Sequence, residues 1–161
     1  MKIGIISDTH DRIDNLTKAM HVFEKQGIKT LIHCGDFCAP FMIKELAKFK
    51  GKVHCVFGNI DDRFSSTKFA IQLGVELHGD LAEIEIDNKK IAVTHFPWFA
   101  NGLASTGKYD IVFHGHDHTA KQQTIKNTLL VNPGELAGIK NKPSYAVYDA
   151  LTNAVELKNL E

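Results

Sequence analysis

Five times along this chain a short apolar, β-branched run stops abruptly on polar residues. The run IGIIS leads to Asp8-Thr9-His10, TLIHC to Gly35-Asp36, and VHCVF to Gly58-Asn59. Further on, KIAVT ends in Thr94-His95 and DIVFH runs into Gly115-His116-Asp117-His118. Such runs, bounded by glycine or polar residues, read as buried strands, which puts every cluster at a strand end. If the strands are parallel neighbours, their carboxyl ends open onto one edge of the sheet, where α/β folds place their ligands. Two aspartates, an asparagine and four histidines then gather in one place, a donor set for metal and large enough for two ions.

With 161 residues, the chain is expected to form one domain over 1–161, of a size that buries about 68 to 70% of the surface its unfolded form exposes. Lys+Arg and Asp+Glu both number 19, with no basic tract, so the electrostatic footprint of a protein that coats nucleic acid is missing. A single nucleotide stays open as a substrate. The first apolar run stops at Asp8, too short for the hydrophobic part of a signal peptide, and no segment approaches the roughly 18 apolar residues of a membrane span. A cytoplasmic protein is expected. Cys34, Cys38 and Cys55 form an odd set with no CxxC pair, which favours buried free thiols over a disulfide framework or a zinc ribbon. His33-Cys34 begins like the HCx5R loop of thiolate phosphatases, but Pro40 stands where the arginine is required.

The helical spacing of Ile13, Leu16, Ala19, Met20 and Phe23, stopped by Gly27, predicts a helix over 13–26 between strands at 2–7 and 30–34. A helix near 40–49, opened by Pro40, and a strand at 52–57 complete a βαβαβ order, the signature of a parallel sheet with right-handed crossovers. Beyond Asp61-Asp62, helical pieces near 67–73 and 100–107 interrupt strand-like runs at 75–78, 81–86, 90–94, 110–114, 120–125, 128–132, 144–149 and 153–157. LAEIEI and IAVT, joined by Asp87-Asn88-Lys89-Lys90, read as a hairpin. A sheet parallel in its first half, followed by many hairpins, predicts two packed sheets with helices outside.

Taken singly, each cluster has an ordinary explanation. Gly-Asp and Gly-Asn are turn signals, an Asp beside a His caps helices, and a lone His is more often satisfied in the core. In sequence, they form a pattern. ISDTHD, HCGDF, VFGNIDD, VTHF, FHGHDH and VNPGE resemble, in order and spacing, the motifs of the calcineurin-like metallophosphoesterase superfamily, in particular its small single-domain bacterial and archaeal phosphodiesterases. The resemblance runs from Asp8 to Glu135 and implies an α/β fold, a four-layer α/β/β/α sandwich of two mixed β-sheets with flanking helices. It also implies a binuclear metal centre: Asp8, His10 and His118 hold one ion, Asn59, His95 and His116 hold the other, and Asp36 bridges the two. A homodimer is a further expectation from the family.

Mixed imidazole and carboxylate donors suit borderline transition metals better than oxygen-seeking Mg²⁺ or Ca²⁺. Mn²⁺ is the expected ion, with Ni²⁺, Fe²⁺ and Zn²⁺ as alternatives. Two divalent ions carry about +4, of which Asp8 and Asp36 cancel about two units, leaving roughly +2 for a hydroxide and a phosphate anion. The expected reaction is hydrolysis of a small phosphodiester by in-line attack of a hydroxide bridging two metals roughly 3.5 to 4 Å apart. Asp36 and Asn59 are the expected catalytic residues, and Asn59 also offers its amide to the substrate phosphate.

Two departures from the family pattern bear on the substrate. Many phosphatases of the superfamily carry a His after the Asn, thought to protonate the leaving group or contact the phosphate; here the position is Ile60. An isoleucine transfers no proton, so diesters and esters with good leaving groups are expected over alkyl monoesters. After His95 the chain reads Phe96-Pro97-Trp98-Phe99 where relatives often read THGH, and these aromatics suit a nucleobase wall, a dimer contact or core packing. Asp11 and Asp117 flank candidate ligands and are read as orienting them or, for Asp11, as the N-cap of the next helix. His114 reads as a satisfied strand residue, and Glu135 offers substrate only its backbone. His21, His33, His54 and His78 have no partner at useful spacing and read as structural. One rival class has the same fold: the retromer scaffold subunit, which binds partner proteins, is considered catalytically poor and can lose ligands freely.

Overall fold

The computed structural model describes residues 1–161. Its first half alternates strand and helix: β1 Lys2–Ile6, α1 Ile13–Lys25, β2 Thr30–His33, α2 Phe41–Leu46, β3 Lys52–Cys55, α3 Arg63–Leu73 and β4 Glu76–Leu77. The second half is strand-rich: β5 Leu81–Ile86, β6 Lys89–Thr94, α4 Pro97–Ser105, β7 Ile111–Phe113, β8 Lys121–Ile125, β9 Thr128–Asn132, β10 Ser144–Asp149 and β11 Ala154–Asn159.

The strands form two sheets, one ordered β11-β10-β1-β2-β3-β4 and the other β5-β6-β7-β9-β8. β1 to β4 run parallel, and the chain returns near its end to lay β10 antiparallel against β1. In the second sheet β6, β7 and β9 are parallel, while β5 and β8 are antiparallel edges. Both sheets are mixed, as expected.

The two-residue period of the strands sorts the core into layers. Ile3 and Ile5 of β1 and Ile32 of β2 share one buried cluster with Ile91, Val93, Ile111, Phe113 and Val131, which fills the space between the sheets. The other face of the first sheet carries Leu31, Val53 and Val147 and receives Leu16, Met20 and Phe23 of α1 and Met42, Ile43 and Leu46 of α2. On the outer face of the second sheet, α4 sets Ala100 and Ala104 against Ala92, Val112 and Leu130. Helix, sheet, sheet, helix is the expected four-layer sandwich.

Two helices start earlier than their patterns predict. α3 begins at Arg63 because Asp62 fixes its start, accepting the Ser65 N–H on Oδ1 at 2.8 Å. It has no apolar stripe to betray it, since Phe64 and Ile71 face solvent at 87% and 79% exposure. α4 begins at Pro97, in the first turn where a missing N–H leaves nothing unsatisfied. No helix is long and apolar enough to cross a membrane.

Candidate metal centre

The loops that follow β1, β2, β3, β6 and β7 carry Asp8 and His10, Asp36, Asn59, His95, and His116 with His118. They bend sharply to do so. Asp8 (φ 51°), His10 (43°), Asp36 (58°), His116 (77°) and His118 (61°) all lie in the left-handed region, which strains a non-glycine residue by roughly 1 to 2 kcal/mol. Five of the seven sequence-predicted ligands thus share the left-handed backbone that turn residues such as Asp87, Asn88 and Asn153 also adopt. Two glycines serve close approach: a Cβ on Gly58 would stand 2.0 Å from Asp36 Oδ1, and one on Gly115 2.6 Å from Asp8 Oδ2.

All seven side chains meet in two overlapping sets. In the first, His118 Nε2 lies 3.3 Å from both Asp8 Oδ1 and His10 Nε2, and His10 Nε2 is 3.9 Å from Asp8 Oδ1 and from Asp36 Oδ2. In the second, His95 Nε2 lies 3.4 Å from the same Asp36 Oδ2, 3.2 Å from Asn59 Oδ1 and 3.3 Å from His116 Nδ1. His116 Nδ1 is 2.9 Å from Asn59 Oδ1. Donors that share an ion at about 2.0 to 2.2 Å stand about 3 to 3.5 Å from one another, and most of these spacings fall there. One oxygen, Asp36 Oδ2, belongs to both sets.

The hydrogen bonds behind the donors test whether a cation fits. His118 donates from Nδ1 to Glu135 Oε2 at 3.0 Å, and His95 from Nδ1 to the Cys34 carbonyl at 2.8 Å. Each therefore turns an Nε2 lone pair inward. What those lone pairs face are acceptors: Asp36 Oδ2, Asn59 Oδ1 and Asp8 Oδ1, the last buried with no donor of its own. Acceptors facing acceptors repel unless positive charge stands between them. Burial raises Asp8 above the usual carboxylate value. Without an ion, a proton on His95 Nε2 supplies that positive charge: burial opposes ionisation of Asp36 as well, but the hydrogen bond from a protonated His95 and the charge there outweigh it and hold the carboxyl low. The same pairing overcomes burial to raise His95. Imidazole, carboxylate and amide oxygen meet in one cage, buried at Asp8, Asp36, His95 and His118 and open to solvent at Asn59, and such a donor set fits divalent transition metals.

Three residues whose side chains have no site role expected from the sequence build this geometry. Glu135, fully buried after β9, orients His118 and accepts the N–H groups of Ile139, Lys140 and Asn141 at 2.9, 2.6 and 2.5 Å. An acid in the turn after a strand, at the carboxyl-end edge, was the available signal. Asp61 accepts the N–H groups of Asp36, Cys38 and Gly58 at 3.0, 2.6 and 2.6 Å, which locks the Asp36 loop to the Asn59 loop. Burial pushes its carboxyl up to about 6. His33 accepts the Gly35 N–H on Nδ1 at 3.1 Å and so donates from Nε2 to Thr9 Oγ1 at 2.9 Å, joining the loops after β1 and β2.

Two predictions arise from these supports. Glu135→Gln is expected to weaken divalent-metal binding by about 10- to 100-fold, the usual effect of losing the group that orients a ligating His; an unchanged metal titration would remove Glu135 from the site. Burial pushes His33 from 6.5 down to about 3, so the folded protein resists a proton that the unfolded chain accepts. Stability from this source is complete above about pH 6.5 and falls as pH drops toward 3. Between pH 7.5 and 5, urea unfolding of the metal-free protein should lose about 2 kcal/mol more in wild type than in His33→Gln. Equal losses would mean that His33 titrates freely.

Other expectations need correction. Asp11 neither caps α1, whose N-cap is Arg12, nor serves a ligand; it accepts the Ala39 N–H at 2.9 Å and stitches two loops together. Asp117 pairs with Asn132 and Lys121. His54 and His78, read as partnerless, face each other at 2.9 Å. His114 is the satisfied strand-end residue expected, buried with Nδ1 on the Gly115 carbonyl at 3.0 Å. Beside the cage, Phe96 stacks on Trp98 at 4.7 Å, and both meet the His116 ring edge-on at 5.3 and 5.4 Å. Trp98 is 63% exposed and so is not core, and Ile60 stands 48% exposed next to Asn59.

Fold and donor set together are those of a phosphoesterase. Residues 1–153 match the calcineurin-like phosphoesterase superfamily domain, and the chain belongs to that superfamily. It is 34% identical over 154 residues to a phosphodiesterase of Methanocaldococcus jannaschii, an alignment covering 92% of this chain and 93% of that one. A solved structure described as a novel archaeal phosphodiesterase superposes with a TM-score of 0.92 at 32% identity, over 99% of this chain and 100% of the other. Vacuolar Protein Sorting 29 of Cryptosporidium parvum shares the fold at a TM-score of 0.69 and 18% identity, over 98% of this chain and 95% of its own.

Proposed function

We propose that the chain is a metal-dependent phosphodiesterase that hydrolyses a small phosphodiester at a centre for two divalent ions. The observation that carries this reading is the sharing of Asp36 Oδ2 between two donor sets in which the Nε2 atoms of His95 and His118 face oxygen acceptors. Asp8, His10 and His118 would hold one ion, Asn59, His95 and His116 the other, with Asp36 between them. When bound, the ions supply positive charge for the phosphate and lower the pKa of a water enough to make the nucleophile without a side-chain base. Mn²⁺ is the first choice, with Ni²⁺, Fe²⁺ or Zn²⁺ as alternatives.

The rest is done by the chain's own groups. Asn59 turns Oδ1 toward His95 and His116, which leaves its NH₂ to donate to a phosphate oxygen. His95 and His118 are fixed in one tautomer by Cys34 and Glu135, so no reorientation is needed when the charge of the reacting phosphate develops. Ile60 supplies no proton to the departing oxygen, which favours a substrate whose leaving group departs as a stable anion. The exposed indole of Trp98, backed by Phe96, offers a flat apolar face to an aromatic leaving group or a nucleobase.

Purification without chelator, metal analysis, and an assay of a phosphoester panel with Mn²⁺, Ni²⁺, Zn²⁺ and Mg²⁺ test the proposal. Aryl diester hydrolysis that requires a transition metal is expected. A metal-free protein inert toward every diester would instead favour a catalytically weak, partner-binding scaffold of the same fold.

A further inference from the structure

Apart from the strand-end donors, a second group of ligand-type side chains meets at the β3–β4 edge of the first sheet. His54 on β3 stands in register with Glu76 on β4, and His78 follows Glu76 by two, so all three leave the sheet on one face. That face is the inner one, because Ile32, in register with His54 on β2, belongs to the apolar cluster between the sheets. Where the inner face is otherwise greasy, this corner carries two imidazoles and a carboxylate. His54 is 3% exposed. Its Nδ1 lies 2.9 Å from His78 Nε2 and 3.2 Å from Glu76 Oε2, and His78 Nε2 is 3.8 Å from that same oxygen. Lys52 Nζ holds the other carboxylate oxygen at 2.9 Å, which aims Oε2 at the rings. A cavity of about 460 Å³, lined by His54, Glu76, Thr30, Lys52 and Ile84 among others, opens beside the group. It reaches toward the amino-terminal ends of β2 and β3, the opposite direction from the strand-end donors.

We propose that His54, Glu76 and His78 form a separate site for one divalent transition-metal ion of the Zn²⁺ or Co²⁺ type. Two imidazoles and one carboxylate with a position open to water are a donor set that takes such ions. The facing ring nitrogens share one proton in an N–H···N bond; an ion takes that proton's place, and the His78 ring, 24% exposed, turns so that both lone pairs meet on it. The consequence is mechanical. β4 has only two residues, and the ion ties this short edge strand to β3 by three side chains at the open rim between the sheets.

Co²⁺ titration with metal analysis after dialysis, on wild type, His78→Ala and Glu76→Gln, decides the matter. Circular dichroism checks that each variant folds. His78→Ala is expected to bind one ion fewer than wild type, whatever number the strand-end donors hold, and to keep its aryl diester hydrolysis. Glu76→Gln is expected to weaken the same ion by more than about tenfold, since even a group that only orients a ligand is worth about that much. Equal ion counts and equal affinities in wild type and folded variants overturn the proposal. If His78→Ala fails to fold, Glu76→Gln settles it by the same criterion. A wild type inert toward diesters that still holds one ion more than His78→Ala supports this site while overturning the phosphodiesterase reading.

Discussion

An Asp36→Asn variant loses diester hydrolysis by on the order of 10³, the upper range for removal of one preorganised electrostatic group, and loses bound divalent metal in the same preparation. The expectation rests on one atom. Asp36 Oδ2 lies 3.9 Å from His10 Nε2 and 3.4 Å from His95 Nε2, so it joins the two sets. An amide there removes one negative charge from a cage whose other members are mostly neutral, and it must place either oxygen or NH₂ where Oδ2 stood. Asp36 also accepts the Ile60 N–H on Oδ1 at 3.3 Å, so the Asn59 loop shifts with it. Metal analysis and an aryl diester assay on the same sample read both effects. A fully active Asp36→Asn protein would sink the two-ion reading.

The second large effect concerns Ile60. Wild type should hydrolyse an aryl diester far faster than an alkyl monoester, and Ile60→His should raise the alkyl monoester rate by about 10², the lower range for a positioned general acid. The side chain is 48% exposed directly after Asn59, so an imidazole there fits without repacking the core and stands one residue from a predicted ligand. Comparable wild-type turnover of the two substrates would show that the leaving group gets its proton elsewhere.

Much of the architecture was legible because strand ends announce themselves. Runs such as IGIIS and IAVT are buried on both faces and stop at their polar residues. The meeting of Asp8, His10, Asp36, Asn59, His95, His116 and His118 therefore follows from one rule about parallel strands. The two packed sheets were legible from the later hairpins, and the four layers from the family motifs. What escaped has no local pattern. Glu135 works through His118, 17 residues away, and looks alone like a turn acid. His54 and His78 are 24 residues apart and meet only because β4 lies beside β3. α3 hid its first turn because Phe64 and Ile71 face outward, which erases the helical period.

The cage also says when it can exist. His10 and His118, which share the first donor set, are 108 residues apart, and the second set needs His116 from the same late loop. No stretch of chain that stops short of β7 holds either set whole. Loops of such length close late relative to helices and hairpins, so the donors come together only when the two sheets have already docked. An ion held by these seven donors can therefore stabilise the finished sandwich, but it finds neither set whole on a chain that stops short of β7.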